Sequence, residues 1–189
     1  MNTIFLSGFM GSGKTTVGGT LARRTGLEFI DLDAYLEKKL GAPVSQIFQV
    51  FGEATFREQE AAALKQLCGK ICIVACGGGT MTDGKNYGTV KLSGGTVVFI
   101  NTSFKNCYER IKDDKTRPLA DGKTKAELKK LYDTRLPLYK KNSDAEVSGD
   151  SVSLVTAASI MEEIIKIIDS ETDSSIENAE NAIQNGEEN

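Results

Sequence analysis

A glycine-rich stretch of eight residues near the N-terminus constrains this chain more than any other feature. It reads Gly-Phe-Met-Gly-Ser-Gly-Lys-Thr at 8–15, follows an apolar run at 4–6 and precedes a helical pattern. This is the phosphate-binding loop G-x-x-x-x-G-K-[ST] in its strand–loop–helix setting. A glycine turn with a surface lysine is the alternative, and the flanking strand and helix make nucleotide phosphate binding the stronger interpretation.

Each residue type in this loop has a chemical reason to be there. Glycines at 8, 11 and 13 carry no Cβ, so backbone N–H groups can turn toward phosphate oxygens. The positive end of the next helix dipole points to the same place. Lys14 can reach the β- and γ-phosphates, and the Thr15 hydroxyl can ligate Mg²⁺.

Length and composition are those of a single globular domain. The 189 residues permit a sizeable core, and no apolar run approaches the length of a membrane span. Residues 1–3 lead straight into the first strand without a basic leader-like segment, so we expect the mature chain to start here and to be cytoplasmic. The four cysteines lack metal-site spacing and the chain has no histidine, which favours buried reduced thiols.

The formal net charge of −3 is negative only because the C-terminal segment is acidic. Residues 169–189 carry seven acidic side chains and no Lys or Arg; without them, 23 basic and 19 acidic side chains leave a balance of +4. A mildly basic folded part suits anionic ligands but does not argue for nucleic acid. Because histidine is absent, a proton acceptor near neutral pH must be a carboxylate, a perturbed lysine or the substrate itself.

Apolar runs and helical periodicity alternate along the chain. The patterns predict strands at 3–7, 28–30, 71–76, 96–100 and 145–147, and helices at 14–25, 35–40, 43–51, 53–67, 124–139 and 152–168. A short helix or irregular link is predicted at 86–92, and a further helix starts at Asn101 or Thr102 and runs to 111. The polar stretch 112–123 is expected to be a mobile lid, and the acidic residues 169–189 to be disordered.

Two carboxylates follow the second predicted strand. In an extended segment Asp31 and Asp33 would lie on one side, at the carboxyl end of the sheet where ligands bind. Asp33 could instead simply cap the next helix. The third strand lacks the terminal Asp of an ordinary Walker B motif, which makes Asp31 the better candidate for the Mg²⁺ side of the site.

Two further clusters have both a functional and an ordinary interpretation. Arg57 and Glu60 stand at i, i+3 and can pair on one helix face, where a solvated ion pair would be favoured if the segment stood alone. Three glycines at 77–79 follow a buried strand, which suggests a backbone that a ligand approaches closely. A flexible turn is the alternative there.

Together these motifs resemble the shikimate kinase family over residues 3–168. They are the loop at 8–15, Asp31-x-Asp33, Phe56-Arg57-x-x-Glu60, the glycines at 77–79, Arg117-Pro118-Leu119 and Arg135-x-x-x-Tyr139. The Asp pair, the Phe-Arg-x-x-Glu block and the triple glycine are together far more specific than the phosphate loop. The resemblance implies a P-loop kinase-like α/β fold, a three-layer sandwich whose five-stranded parallel sheet has the order 2-3-1-4-5, with helices on both faces and a mobile lid. It implies one domain over 1–168, and the tail 169–189 lies outside the family pattern.

The resemblance also implies an activity. ATP, with Mg²⁺, would phosphorylate the 3-hydroxyl of shikimate in aromatic amino-acid biosynthesis, and the family favours a monomer. Arg57 and Arg135 would grip the substrate carboxylate with paired donors. Asp33 would accept hydrogen bonds from the ring hydroxyls and take or orient the reacting proton.

The remaining roles follow from the same resemblance. Lys14 and the lid residue Arg117 would meet the transferring phosphoryl group. The amides of Gly78 and Gly79 would sit against the substrate or the γ-phosphate, and Asp31 would hold Mg²⁺ through water, together with Thr15. Nucleotide contacts would come from Gly11, Ser12, Gly13, Lys14, Thr15, Thr16, Arg110 and Arg117.

Two rival functions share part of this pattern. A gluconate kinase relative would have the loop and the lid, but not the Asp pair, Arg57 and the triple glycine together. A non-catalytic nucleotide-binding relative would have lost Lys14, Asp33 or Arg117, and all three are present. The chain departs from the family pattern at Gly19, often a basic residue, and at Ala120, usually a larger apolar one.

Overall fold

Five parallel strands form the centre of the molecule in the computed structural model, which describes residues 2–112 and 123–150 together with Ile164. The strands are β1 (Ile4–Ser7), β2 (Glu28–Asp31), β3 (Cys72–Ala75), β4 (Thr96–Asn101) and β5 (Ala145–Ser148). Their order is β2-β3-β1-β4-β5, and every neighbouring pair is parallel. The predicted sheet topology is therefore confirmed. The predicted lid with Arg117 and Ala120 (apart from its ends), the last helix except Ile164, and the acidic tail lie outside the described residues.

Helices cover both faces of this sheet, as predicted. They are α1 (Lys14–Thr25), α2 (Leu32–Leu40), α3 (Val44–Leu67), α4 (Gly84–Leu92), α5 (Phe104–Ile111) and α6 (Lys125–Lys141), with a 3-10 turn at Thr80–Thr82. Successive side chains of a strand point to opposite faces. Phe5 of β1 accordingly packs in the core shared with α3 and α4, whereas Leu6 packs with α1 and with Ile164, which is helical and fully buried.

Three helices begin at positions that differ from the predicted ones, because side chains cap them. Helix α2 begins at Leu32 rather than Tyr35, since the Asp31 carboxylate accepts hydrogen bonds from the amides of the first turn. Helix α5 begins at Phe104, because β4 continues through Asn101 and Ser103 is the cap. Asp83 caps α4 at Gly84, which resolves the predicted choice between a helix and an irregular link.

The predicted break within the long helical region is present. Gly52 has φ 80° and ψ 166°, so α3 consists of two helical pieces joined at this glycine. At the start of α6, the Thr124 hydroxyl accepts from the Glu127 amide and the Glu127 carboxylate accepts from the Thr124 amide. This capping box confirms the predicted cap of α6.

The four cysteines carry free thiols, and all but Cys68 are fully buried. Burial raises the pKa of Cys76 well above its ordinary value, and the nearby Glu60 carboxylate adds to the shift. Burial likewise raises the pKa of Cys107 to about 11. These thiols stay protonated near neutral pH, and the free cysteines agree with the prediction of buried reduced thiols for all but the partly exposed Cys68. Among the described residues, no helix combines the length and the apolar character needed to cross a membrane.

Candidate active site

A cleft of about 570 Å³ opens beyond the carboxyl ends of β1, β2 and β3. Ligands of open parallel sheets bind at this edge. Eleven of the predicted site residues line it: Gly11, Gly13, Lys14, Thr15, Thr16, Asp31, Asp33, Arg57, Gly78, Gly79 and Arg110. Ser12 and Arg135 contact residues of the lining, Lys14 and Gly78 respectively. Arg117 lies outside the described residues.

The phosphate loop has the backbone that its glycines predict. Gly8, Gly11 and Gly13 all have positive φ, at 144°, 76° and 102°. At Gly8 and Gly11 the space is also taken, because a Cβ would lie 2.8 Å from the Ile100 carbonyl oxygen and 2.5 Å from the Cys107 carbonyl oxygen. Glycine is therefore required for conformation and for packing at the point where amides must face a phosphate.

The Lys14 side chain folds back onto its own phosphate loop. Its Nζ donates to the carbonyl oxygens of Gly8 at 2.7 Å and Phe9 at 3.0 Å, and lies 3.5 Å from the Ser12 Oγ. The residue is only 9% exposed. The loop thus places a positive charge beside the N-terminus of α1, where two sources of positive potential favour the same anion.

Thr15 and Asp31 place two oxygen atoms that can ligate a metal side by side in the lining of the cleft. The Thr15 hydroxyl donates to Asp31 Oδ2 at 2.9 Å, while Oδ1 accepts the amides of Asp33 and Ala34 at 3.2 and 3.3 Å. A hydroxyl beside a carboxylate suits Mg²⁺, which takes few protein oxygens and completes its shell with phosphates and water. The described residues contain no group of three or more His, Cys, Asp or Glu side chains that could hold a metal ion. The Thr15 hydroxyl and the Asp31 carboxylate fit an Mg²⁺ ion whose other ligands come from phosphates and water.

Asp33 reaches the cleft by a different route from the predicted one. It is not part of an extended segment, because Leu32 is already helical and Asp33 lies in the first turn of α2. Nor does it cap that helix, a position that Asp31 occupies. A Cβ on Gly77 would lie 2.8 Å from Asp33 Oδ1 and 2.7 Å from Glu60 Oε1. Two carboxylates thus converge on the first glycine of the triplet.

Arg57 pairs with one fully buried carboxylate, Glu60, and with one exposed carboxylate, Glu53, so it is not a simple solvated pair. Its Nη1 donates to Glu60 Oε2 at 2.7 Å, its Nη2 and Nε donate to Glu53 Oε1, and the Glu60 side chain is completely buried. Its Cζ lies 5.4 Å from the ring centroid of Phe56 and 5.9 Å from that of Phe48. Burial lowers the pKa of Arg57, but the carboxylates of Glu60 and Glu53 outweigh this and raise it above the ordinary value. The guanidinium is a permanent positive charge in the cleft wall.

Arg135 approaches the triple glycine from α6. Its Nη1 donates to the Gly78 carbonyl oxygen at 3.0 Å, and the buried Tyr139 hydroxyl donates to the same oxygen. A Cβ on Gly79 would lie 2.5 Å from Arg57 Nη2. The two guanidinium groups therefore lie close to consecutive glycines, and a side chain at Gly79 would displace Arg57. These contacts favour an ordered wall of the cleft over a merely flexible turn.

Arg110 links the phosphate loop to the end of β5. Its Nη1 donates to the Gly11 carbonyl oxygen at 2.9 Å and its Nη2 to the Gly149 carbonyl oxygen at 3.2 Å. Asp150 accepts hydrogen bonds from the Ser103 amide and from Asn106, next to this contact. This end of the cleft is thus built from segments far apart in the chain.

Several residues of the site were not predicted from the sequence. Thr80 and Tyr139 carry buried hydroxyls that contact Glu60 and Gly78, and Phe48 lines the cleft from the first piece of α3. Tyr139 occurs in a motif that resembles the family, so a signal existed for it. No sequence signal pointed to Thr80 or Phe48, because their spacing along the chain is that of ordinary core residues.

Comparisons with known proteins agree with this geometry. A family model described as shikimate kinase matches residues 10–169. The chain is 38% identical to a shikimate kinase of Persephonella marina over 154 residues, which is 81% of this chain and 92% of that protein.

Solved structures give the same result. The structure of shikimate kinase from Acinetobacter baumannii in complex with shikimate matches with a TM-score of 0.81 and 34% identity, over 90% of this chain and 94% of that one. A gluconokinase from Sinorhizobium meliloti matches with a TM-score of 0.52 and 18% identity over 86% of this chain and 95% of that one, which reflects a shared fold alone. With a matching family model, identity above 30% over most of the chain and a common fold in agreement, the chain belongs to the shikimate kinase family.

Proposed function

We propose that this protein transfers the γ-phosphoryl group of ATP to the 3-hydroxyl of shikimate, giving shikimate 3-phosphate and ADP. The observation that supports this most is a single cleft that joins the phosphate loop to Asp33 and Arg57, with Arg135 against its glycine wall. A triphosphate and a hydroxylated carboxylic acid need such an arrangement. The relative from Acinetobacter baumannii, solved with shikimate bound, supports the choice of acceptor.

On the nucleotide side, the chain provides positioning and positive charge. Amides of residues 11–16 and the N-terminus of α1 would hold the phosphates, and Lys14 would exchange its loop carbonyls for β- and γ-phosphate oxygens. Thr15 and Asp31 would hold Mg²⁺, which neutralises charge on the phosphates when bound. Arg110 would lie against the base, and Arg117 would contact the transferring group.

On the acceptor side, the chain fixes a carboxylate and a hydroxyl. Arg57 and Arg135 would bind the carboxylate, since planar guanidinium groups offer two parallel donors. The amides of Gly78 and Gly79 would contact the substrate or the γ-phosphate. Asp33 would accept the hydrogen bond of the reacting hydroxyl and take or orient its proton. Because phosphoryl transfer relies on alignment and charge neutralisation, these roles suffice without a histidine.

We further propose that residues 1–168 form the catalytic domain, acting as a cytoplasmic monomer without a nucleic acid or membrane partner. The family model, which ends at residue 169, supports the boundary. The buried free thiols are those of a reducing compartment. Light scattering coupled to gel filtration at micromolar protein tests the monomer, and a mass near 41 kDa, about twice the chain mass of 20.4 kDa, would contradict it.

The decisive experiment is a coupled assay of ADP release with three parallel acceptors. Shikimate, gluconate and buffer alone are compared, and the product is identified by ³¹P NMR. We expect release that depends on shikimate and a phosphate ester on its 3-oxygen. Release with gluconate alone would indicate a sugar-acid kinase. Tight ATP binding with no acceptor-dependent release would indicate a non-catalytic nucleotide-binding protein.

A further inference from the structure

Glu60 is a carboxylate with no contact to solvent, so both of its oxygens need partners. Oε2 accepts from Arg57 Nη1 at 2.7 Å, and Oε1 accepts from the Thr80 hydroxyl at 2.5 Å. Such short distances are typical of hydrogen bonds to an ionised group. The orientation of this carboxylate is therefore set by one side chain in the cleft wall and by one outside it.

Thr80 is itself held rigidly at the start of the 3-10 turn. It is fully buried, its amide donates to the Gly77 carbonyl oxygen at 3.2 Å, and its carbonyl accepts from Asn86 Nδ2 at 2.9 Å. Its hydroxyl lies 3.1 Å from the Gly77 carbonyl oxygen but only 2.5 Å from the Glu60 carboxylate. A hydroxyl has one proton, and the nearer, charged acceptor takes it.

The fixed Glu60 carboxylate uses one of the hydrogen-bond donors of Arg57 and leaves others for the substrate. A guanidinium has five N–H donors. Within the described part of the chain, Nε and one hydrogen of Nη2 are used on Glu53, and one hydrogen of Nη1 is used on Glu60. One hydrogen on each Nη remains. A substrate carboxylate can accept these hydrogens, one from each Nη, in two hydrogen bonds.

We propose that Thr80 is a positioning residue for the acceptor. Its hydroxyl fixes Glu60, and Glu60 holds Arg57 in the orientation that presents its remaining Nη hydrogens to the substrate carboxylate. Thr80 acts through two other residues and touches neither substrate nor nucleotide. The inference rests on the proposed function, because it takes the acceptor to be a carboxylic acid bound by Arg57.

Thr80→Val and Thr80→Ser test this role, since the first removes the hydroxyl and the second keeps it. We expect Thr80→Val to raise both KM and the calorimetric Kd for shikimate at least about 10-fold, the scale of a hydrogen bond to a charged group. KM for ATP should stay unchanged, and Thr80→Ser should stay within about twofold of the wild type. If the valine variant does not fold, Thr80→Ala provides the same comparison with a smaller side chain.

Thr3→Val is the matched control. Thr3 is also fully buried, and its hydroxyl lies 2.5 Å from the Lys70 carbonyl oxygen and 3.1 Å from that of Leu67, away from the cleft. We expect this change to lower Tm while leaving KM for shikimate unaltered. An equal rise in KM for shikimate in Thr3→Val and Thr80→Val would overturn the proposal, because the effect would then be loss of core stability.

A double-mutant cycle with Arg57→Ala separates action through the arginine from a general disturbance. If Thr80 works through Arg57, Thr80→Val should weaken shikimate binding no further once Arg57 has been removed. Additive losses would overturn the proposal, as would an unchanged KM in Thr80→Val or an equally impaired Thr80→Ser. Failure of the proposed function is distinguishable, since the wild-type protein would then show no activity with shikimate.

Discussion

At the scale of single residues, burial of one partner changes how much an ion pair matters for stability. On a helix drawn from the sequence, Arg57 and Glu60 are an ordinary i, i+3 pair on a solvated face. In the fold, Glu60 is completely buried and Arg57 rests against two phenylalanine rings. Removing Arg57 would leave the buried Glu60 carboxylate without its opposite charge, which costs more than breaking a pair on the surface.

Asp33→Asn should lower turnover by at least about 100-fold, the scale of a lost general base or orienting group. ATP binding should be intact, because the phosphate loop is untouched. The measurements are kcat in the coupled assay and Kd for ATP by calorimetry. Asp83→Asn is the control, since Asp83 caps α4 and asparagine caps equally well. Full turnover in Asp33→Asn would remove Asp33 from the mechanism.

Arg57→Lys should raise KM for shikimate about 10-fold or more, because an ammonium cannot hold two carboxylates and also bind a third with paired donors. KM for ATP should not change. The same conservative change at Arg23, an exposed residue near the end of α1, should have no effect on either constant. An unaltered KM for shikimate would contradict the assignment of Arg57 to the acceptor carboxylate.

At the scale of elements, α1 is brought close to the sheet by one of its two adjacent glycines. A Cβ on Gly18 would lie 2.6 Å from Phe29 Cε2 and 3.0 Å from Leu6 Cδ1, whereas nothing lies within 4 Å of one on Gly19. Both glycines weaken a helix by their conformational freedom. Only Gly18 has a packing reason to be present, since it lets α1 lie close to Phe29 and Leu6 of the sheet.

We therefore expect replacement of these two glycines by alanine to have opposite effects on the free energy of unfolding. Gly18→Ala should lower the free energy of unfolding by about 1–3 kcal/mol, the cost of overpacking. Gly19→Ala should raise it by up to about 1 kcal/mol, the difference in helix propensity. Urea unfolding followed by circular dichroism measures both. Equal destabilisation by the two changes would show that the close packing at Gly18 does not limit stability.

At the scale of the whole molecule, the acidic residues 169–189 stand apart from the catalytic unit in composition and in family coverage. Deleting 170–189 should leave kcat and both KM values within about twofold, since none of the proposed site residues lies there. Steady-state assays of the full and the shortened chain at the same ionic strength provide the comparison. A large loss of activity would show that this segment takes part in substrate binding or in domain stability.

The sequence by itself determined the architecture and the chemistry. Local spacing identified the phosphate loop, and the periodicity of apolar residues located the elements, because both are properties of short segments. The break at Gly52 and the cap at Thr124 could also be predicted from the sequence, because each depends on a short segment. The order of motifs along the chain then indicated the kinase family, and with it the sheet order.

Only the tertiary structure decided which side chains act together. It made Asp31 the helix cap as well as a partner of Thr15, buried Glu60, and placed Thr80 and Tyr139 behind the glycines. Apart from the cap, these contacts join residues that are 16 to 61 positions apart. Local pattern holds no information about them, because burial and hydrogen-bond partners across such separations exist only once the strands have paired and the helices have packed.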